Sequence, residues 1–424
     1  MRFDFPLSAW CRALLCVLLE KFGKTDLASR IVLAPSPPKP STPGWICHAQ
    51  ACAWSLQKNP WKAAPYWVEL CRRRLLVPES CWKAAEALTS SGASDETLRL
   101  LDRLEAEFKR DPQWTLLRSR ALHKLGRIDA ALSVLECPSV KAGKTVRKRI
   151  ENLRKIQNYV QETERAFKSD STYHNIAALR GKGAGKRCFI IGNGPSLLQQ
   201  DLTLLARETT FATNWFVNHP DCERIDPTFY CVCSHTMFGG WGDSSPGKLN
   251  EDFKQLLLAK APNAHTIFSY KFAPVIREDT DFDKQRVDFL IFDNPKKKIN
   301  AEGEINMDFS TFLPNGYTVI LTFCLPLALY MGFSEIYLVG CDCDYQLTSA
   351  DAPKAHFYNH DLHTTQSTKF ENLCREWAPG GPVFQCYEVA GREAARRGVK
   401  IYNATAGGRL EVFPRRSFES LFQS

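Results

Sequence analysis

Residues 187–196 read Arg-Cys-Phe-Ile-Ile-Gly-Asn-Gly-Pro-Ser. A short apolar run closed by glycines is the pattern of a strand buried on both faces, and Pro195 and Ser196 are residues that open a helix. Strand, glycine turn and helix in that order mark the first unit of a parallel α/β sheet. The turn is neither the Walker loop nor the dinucleotide fingerprint, because the Lys-Ser/Thr pair and the third glycine are absent. Gly192 and Gly194 allow a tight turn and close backbone approach, Asn193 and Ser196 supply polar side chains, and the helix N-terminus favours an anionic phosphate.

Downstream, strand-like runs fall at 210–213, 228–233, 265–270, 288–292, 335–340 and 400–403. Helices are expected at 317–331, kinked by Pro326, and at 388–397. This alternation predicts a Rossmann-like, mostly parallel sheet covered on both faces.

Upstream, residues 1–168 read as helical. Pro35, Pro37, Pro38, Pro40 and Pro43 mark a loop. Amphipathic spacing follows at 97–108, 114–125 and 128–135, with a Lys-Leu-Gly-Arg turn at 124–127. Leu125 to Ala131 resembles the turn of a tetratricopeptide repeat, with a weaker copy over 61–88; a plain helical bundle is the alternative. Residues 144–168 form a charged helical connector, and 169–185, ending in Gly-Lys-Gly-Ala-Gly, read as a linker. The expected domains are therefore 1–168, all-α and tetratricopeptide-like, and 186–424, α/β, as a chain of 424 residues requires more than one core. The helical part carries no chemical motif and suits a protein partner.

The net charge of +9 comes without a dense basic run, which argues against nucleic acid. The 16 cysteines show no zinc spacing and suit a reducing cytoplasm. The apolar stretch 7–19 is interrupted by Arg12 and is too short to span a bilayer, so a cytoplasmic protein, or one peripheral at the inner membrane face, is expected.

Two further segments carry chemistry. Gly340-Cys341-Asp342-Cys343-Asp344-Tyr345 follows a strand, where ligands bind in open α/β sheets. Asp342 suits a ribose hydroxyl or base amine; with Asp344 it suits instead a Mg or Mn ion against a diphosphate. His356, His360 and His363 cluster in a polar segment, and a histidine is a natural base for a sugar hydroxyl.

The Ile-Ile-Gly-Asn-Gly-Pro-Ser-Leu run at 190–197, Asn214, Asn315-Gly316-Tyr317 before an apolar helix, the acidic loop and the His-aromatic-x-x-His spacing together resemble the bacterial sialyltransferases of glycosyltransferase family 42. The resemblance covers the C-terminal half and implies a GT-A-like domain using a CMP-sugar donor, with a glycan or glycoprotein acceptor in surface-polysaccharide synthesis. It implies that Asn193, Gly194, Ser196 and Asn214 hold the cytidine monophosphate, with Asn315 and Gly316 near the phosphate and Asp342 and Tyr345 near the nucleotide. It makes His360 the catalytic base and His356 its companion, with metal not essential. Phe357 stands where the family has a tyrosine, and Ser234 or His235 where a further asparagine is expected. The tail at 401–415 is similar to the ending of a broader group that includes motility accessory factor glycosyltransferases and hydroxymethylpterin pyrophosphokinase-like proteins. That group implies one alternative, an ATP- and Mg-dependent diphosphate transferase; a second alternative is a non-catalytic nucleotide-binding scaffold whose helical N-terminal half is the functional part.

Overall fold

The computed structural model describes residues 41–57, 60–76, 78–91, 93–105, 112–137, 143–238, 248–292, 307–313, 316–344, 356–357 and 381–423, with isolated residues 15, 18, 38 and 305. The chain divides into two compact units, Met1–Asn158 and Tyr159–Ser424.

The first unit is helical. Its helices are α1 (Gly44–Leu56), α2 (Pro60–Arg72), α3 (Pro78–Ser91), α4 (Ser94–Arg103), α5 (Pro112–Lys124) and α6 (Ile128–Glu136), followed by the start of α7 (Lys144–Lys168). Trp67, Leu70, Leu88 and Leu101 build one core; Ala121, Leu132, Leu135 and Leu153 build a second. Between α5 and α6 the Gly126 amide donates to His123 O and the Arg127 amide to Leu122 O, with Gly126 at φ 75°. This 6→1 closure is the usual way a left-handed glycine ends a helix, and it turns the chain where the Lys-Leu-Gly-Arg run predicted. No helix among the described residues is long and apolar enough to cross a membrane.

The second unit is α/β. Among the described residues seven parallel strands run in the order β5-β4-β3-β2-β1-β6-β7, with β1 Arg187–Ile191, β2 Thr210–Thr213, β3 Phe229–Val232, β4 His265–Ser269, β5 Val287–Leu290, β6 Glu335–Val339 and β7 Lys400–Asn403. Period-two alternation sorts their side chains between two cores. Cys188, Ile190, Ile336 and Leu338 face one, and Phe189, Ile191, Tyr337 and Val339 face the other. The strand order reverses between β1 and β6, which makes this pair the topological switch point of the sheet. In open α/β sheets ligands bind at the carboxyl ends of strands near such a point.

Two expectations need correction. Residues 169–185 are not a linker: helix α8 (Ser171–Ala178) buries Ile176 in the sheet's core, and Asn175 donates to the buried Asp288 at 2.9 Å. The glycines there serve packing, since a Cβ on Gly183 would lie 2.8 Å from the Phe333 ring. The unit in fact starts inside α7, where Phe167 is fully buried in the other sheet core. The apolar run at 317–331 is also not one α-helix. A π-helical segment, Ile320–Cys324, passes into α-helix Leu325–Met331. Pro326 cannot donate to a carbonyl one turn back, and the Leu325 amide reaches Ile320 O instead.

These contacts place the smallest self-sufficient sheet unit at residue 159. A fragment spanning 159–424 is expected to unfold cooperatively. One starting at 186 loses Phe167 and Ile176, each a large core deletion of ~3 kcal/mol or more, and is expected to be insoluble or molten by near-UV circular dichroism. Equal denaturant midpoints for the two fragments would overturn this boundary.

Candidate functional site

The loops after β1 and β6 are laced together. The Gly192 amide donates to Val339 O at 2.8 Å and the Gly194 amide to Gly340 O at 2.9 Å. A Cβ on Gly192 would meet Gly340 O at 2.4 Å, and one on Gly194 would meet Asp342 Oδ2 at 1.7 Å. The close approach these glycines permit is therefore made by the chain's own acidic loop. Pro195–Gln199 forms a 3-10 helix of only five residues. At its start the Ser196 amide donates to Asp342 Oδ1 (3.2 Å) and the Ser196 hydroxyl to Asp342 Oδ2 (2.7 Å). The expectation of phosphate at this N-terminus is thus corrected: a carboxylate holds that position.

Beside it lie two asparagines from neighbouring strand ends. Asn193 Nδ2 donates to the carbonyl and hydroxyl oxygens of Thr213, both at 3.0 Å, while the Thr213 hydroxyl donates to Ile191 O. Asn214 ends β2 in the left-handed region, φ 46°, which asparagine tolerates better than most residues. Tyr230, wholly buried on β3, fixes that turn: its hydroxyl donates to Asn214 O at 2.7 Å and accepts from the Val217 amide at 2.8 Å. The Oδ1 atoms of Asn193 and Asn214 are both buried and have no hydrogen-bond partner among the described residues. Leaving such an acceptor unmade costs ~1–3 kcal/mol, so a pair of them marks a place where donors belong.

The C-terminal tail forms the other wall. The Arg409 amide donates to Asp342 O at 2.7 Å, and a Cβ on Gly408 would strike the Asp342 backbone at 2.6 Å. Arg409 Nε lies 2.9 Å from Asp344 Oδ1. Thr405 Oγ1 accepts from the Cys341 amide, Gln200 Nε2 donates to Ala404 O, and Arg415 ties the carbonyls of Thr405, Gly407 and Gly408 to Glu411. Burial pushes the Asp342 carboxyl above the ordinary carboxylate range, against the two Ser196 bonds that lower it. A divalent cation does not fit the acidic loop as it stands, because Asp342 is turned to Ser196 and a guanidinium stands against Asp344.

Gly316 is buried, its amide bonded to the Thr322 hydroxyl at 3.1 Å, so it serves the start of the π-helical segment. Cys341 and Cys343 are core thiols beside Tyr387, and burial raises Cys343 to about 12. The histidine-rich segment is described only at 356–357. The Phe357 amide donates to Asn193 O at 3.1 Å, and its ring packs edge-on to His219, centroids 5.2 Å apart. This brings His356 next to the Asn193 loop. Asn315, Tyr345 and His360 lie outside the described residues. Sequence reasoning overlooked Thr213, Tyr230, Gln200, Arg409 and Arg415. Arg409 and Arg415 stand in the tail motif and were legible as a motif without a role; Tyr230 is an ordinary strand residue and gives no signal.

No family model matches the chain, and no curated protein or solved structure gives a significant match.

Asp342 yields a pH test. A carboxyl whose folded pKa is raised binds its proton more tightly when folded, so its charge destabilises the fold above that pKa and not below the unfolded value. Asp342→Asn, which keeps an acceptor for the Ser196 amide, is expected to raise Tm at pH 7. That gain should vanish as the pH falls toward 4. A variant less stable than wild type at pH 7 would show that the charge itself holds the loops together.

Proposed function

We propose that the second unit binds the nucleoside of an activated sugar and is a glycosyltransferase of the family 42 type. The observation that carries this is the pair of buried amide oxygens of Asn193 and Asn214, without a hydrogen-bond partner among the described residues, at the carboxyl ends of β1 and β2. Two acceptors on neighbouring strand ends suit ribose hydroxyls or the amino group of cytosine. They do not suit phosphate, which is itself an acceptor, and the Asn193 amide nitrogen is already given to Thr213. Of the roles implied by resemblance, the nucleoside part is supported and the phosphate part is not. Ser196 and Asp342 act here as a latch that sets the loop.

With a CMP-linked nonulosonic acid as donor, the acceptor hydroxyl oxygen bonds to the anomeric carbon while the bond from that carbon to the phosphate oxygen breaks. CMP leaves with the electron pair, and the hydroxyl proton passes to His360. His356, anchored beside Asn193 through Phe357, orients the segment. The ATP-dependent diphosphate transferase is less favoured, because it needs metal at Asp342 and Asp344, which are engaged by Ser196 and Arg409. The helical first unit is proposed as a tetratricopeptide-like module for a protein partner.

Thermal-shift and calorimetric titration with CMP, CDP, UDP, GDP and ATP, with and without Mg²⁺, test this reading. CMP at ~100 times its Kd is expected to stabilise by about 2.7 kcal/mol without metal. Asn193→Ala and Asn214→Ala should each weaken binding roughly 5-fold, the worth of ~1 kcal/mol. His360→Ala should cut turnover ~10²-fold and leave CMP affinity nearly intact. If no nucleotide binds, or only ATP with Mg²⁺ does, the reading fails.

A further inference from the structure

The helical unit holds a positive charge that no carboxylate answers among the described residues. Arg149, in the second turn of α7, is half-buried. Its Nη2 lies 2.8 Å from Nδ1 of the buried His123 on α5, and its Nε is buried with no hydrogen-bond partner among the described residues. A guanidinium is always protonated, so that imidazole nitrogen acts as the acceptor. Arg120 stands one turn before His123 on α5 and so shares its face of the helix. It lies close enough to Arg149 that, after burial, its charge is the second cause lowering the Arg149 pKa. Neither arginine has a carboxylate partner among the described residues.

Neighbouring arginines behave differently. Arg118 pairs with Asp102 and Arg154 with Glu136. The first turn of α7 adds Lys144 and Arg147 and contains no acid, although the positive end of a helix favours one. Half-burying a guanidinium near a second one, with no carboxylate partner among the described residues, costs free energy that an anion would offset. Two guanidinium forks, with exposed cations beside them, call for an anion with more than one charge and several acceptor oxygens.

We propose that Arg149 and Arg120 form the floor of an oxyanion site on the helical unit that takes a phosphate group, free or carried on a larger ligand. A carboxylate offers two oxygens and one charge; phosphate offers a third acceptor oxygen and a second charge, one for each arginine. The inference stands apart from the nucleotide reading, since both arginines belong to the first unit.

The test is differential scanning calorimetry of the full chain in sodium phosphate, sodium chloride and sodium acetate at matched ionic strength. Wild type is compared with Arg149→Met, Arg120→Met and Arg149→Lys. Wild type is expected to gain several degrees in phosphate over chloride, and Arg149→Met to lose at least half of that increment. In chloride, Arg149→Met should unfold no lower than wild type, because it removes a charge without a partner. Arg120→Met, on the exposed side, should reduce the phosphate increment without touching the core, and Arg149→Lys should retain part of it. Phosphate also stabilises proteins generally by exclusion, so an equal increment in all four chains would overturn the site. Acetate matching phosphate in wild type would overturn the assignment to phosphate, and a large loss in chloride for Arg149→Met would make the arginine structural.

Discussion

The carboxylate of Asp342 crosses the gap between the loops that leave β1 and β6 and takes both the amide and the hydroxyl hydrogen of Ser196. Charge-assisted bonds of this kind are each worth ~1.5–3 kcal/mol net, yet burial still drives the Asp342 pKa upward, so desolvation outweighs them. The latch is therefore costly in charge and valuable in position. With it closed, Gly194 must lack a side chain, the five-residue 3-10 helix starts where it does, and Asn193 is turned toward Thr213. The tail completes the arrangement from outside, since Arg409 and Gly408 grip the Asp342 backbone and Arg415 holds their loop in shape.

The parallel sheet was readable from β1 onward because its strands are buried on both faces and each ends at a turn signal. Arg187–Ile191, Thr210–Thr213 and Lys400–Asn403 fall where the apolar runs do. Helix Glu251–Lys260 went unread although Asn250 caps it by accepting from the Phe253 amide. The 169–185 stretch misled for a physical reason. Glycine marks a flexible joint and a close-packed contact equally well, and only the Phe333 ring against Gly183 distinguishes them.

The site was legible in part. Asn193, Gly194, Ser196 and Asp342 do meet at the switch point, with Asn214 one strand over at the end of β2, but what each does there depends on long-range pairing that local sequence does not encode. Ser196 and Asp342 read separately as ligand-binding groups, and they bind each other across 146 positions of chain. Tyr230, which holds Asn214 in its left-handed turn, is indistinguishable in sequence from any strand tyrosine. The two amide oxygens are buried without a partner among the described residues, which is why the proposed chemistry is nucleoside rather than phosphate recognition.

In the proposed function those two oxygens meet hydrogen-bond donors of a nucleotide. A crystal structure of the full chain with CMP measures this directly. The expected result is a nucleoside at the carboxyl ends of β1 and β2, with a donor within about 3 Å of Asn193 Oδ1 and another at Asn214 Oδ1, and with Ser196 still bonded to Asp342. CMP bound elsewhere, or phosphate seated on Ser196 with Asp342 displaced, would contradict it.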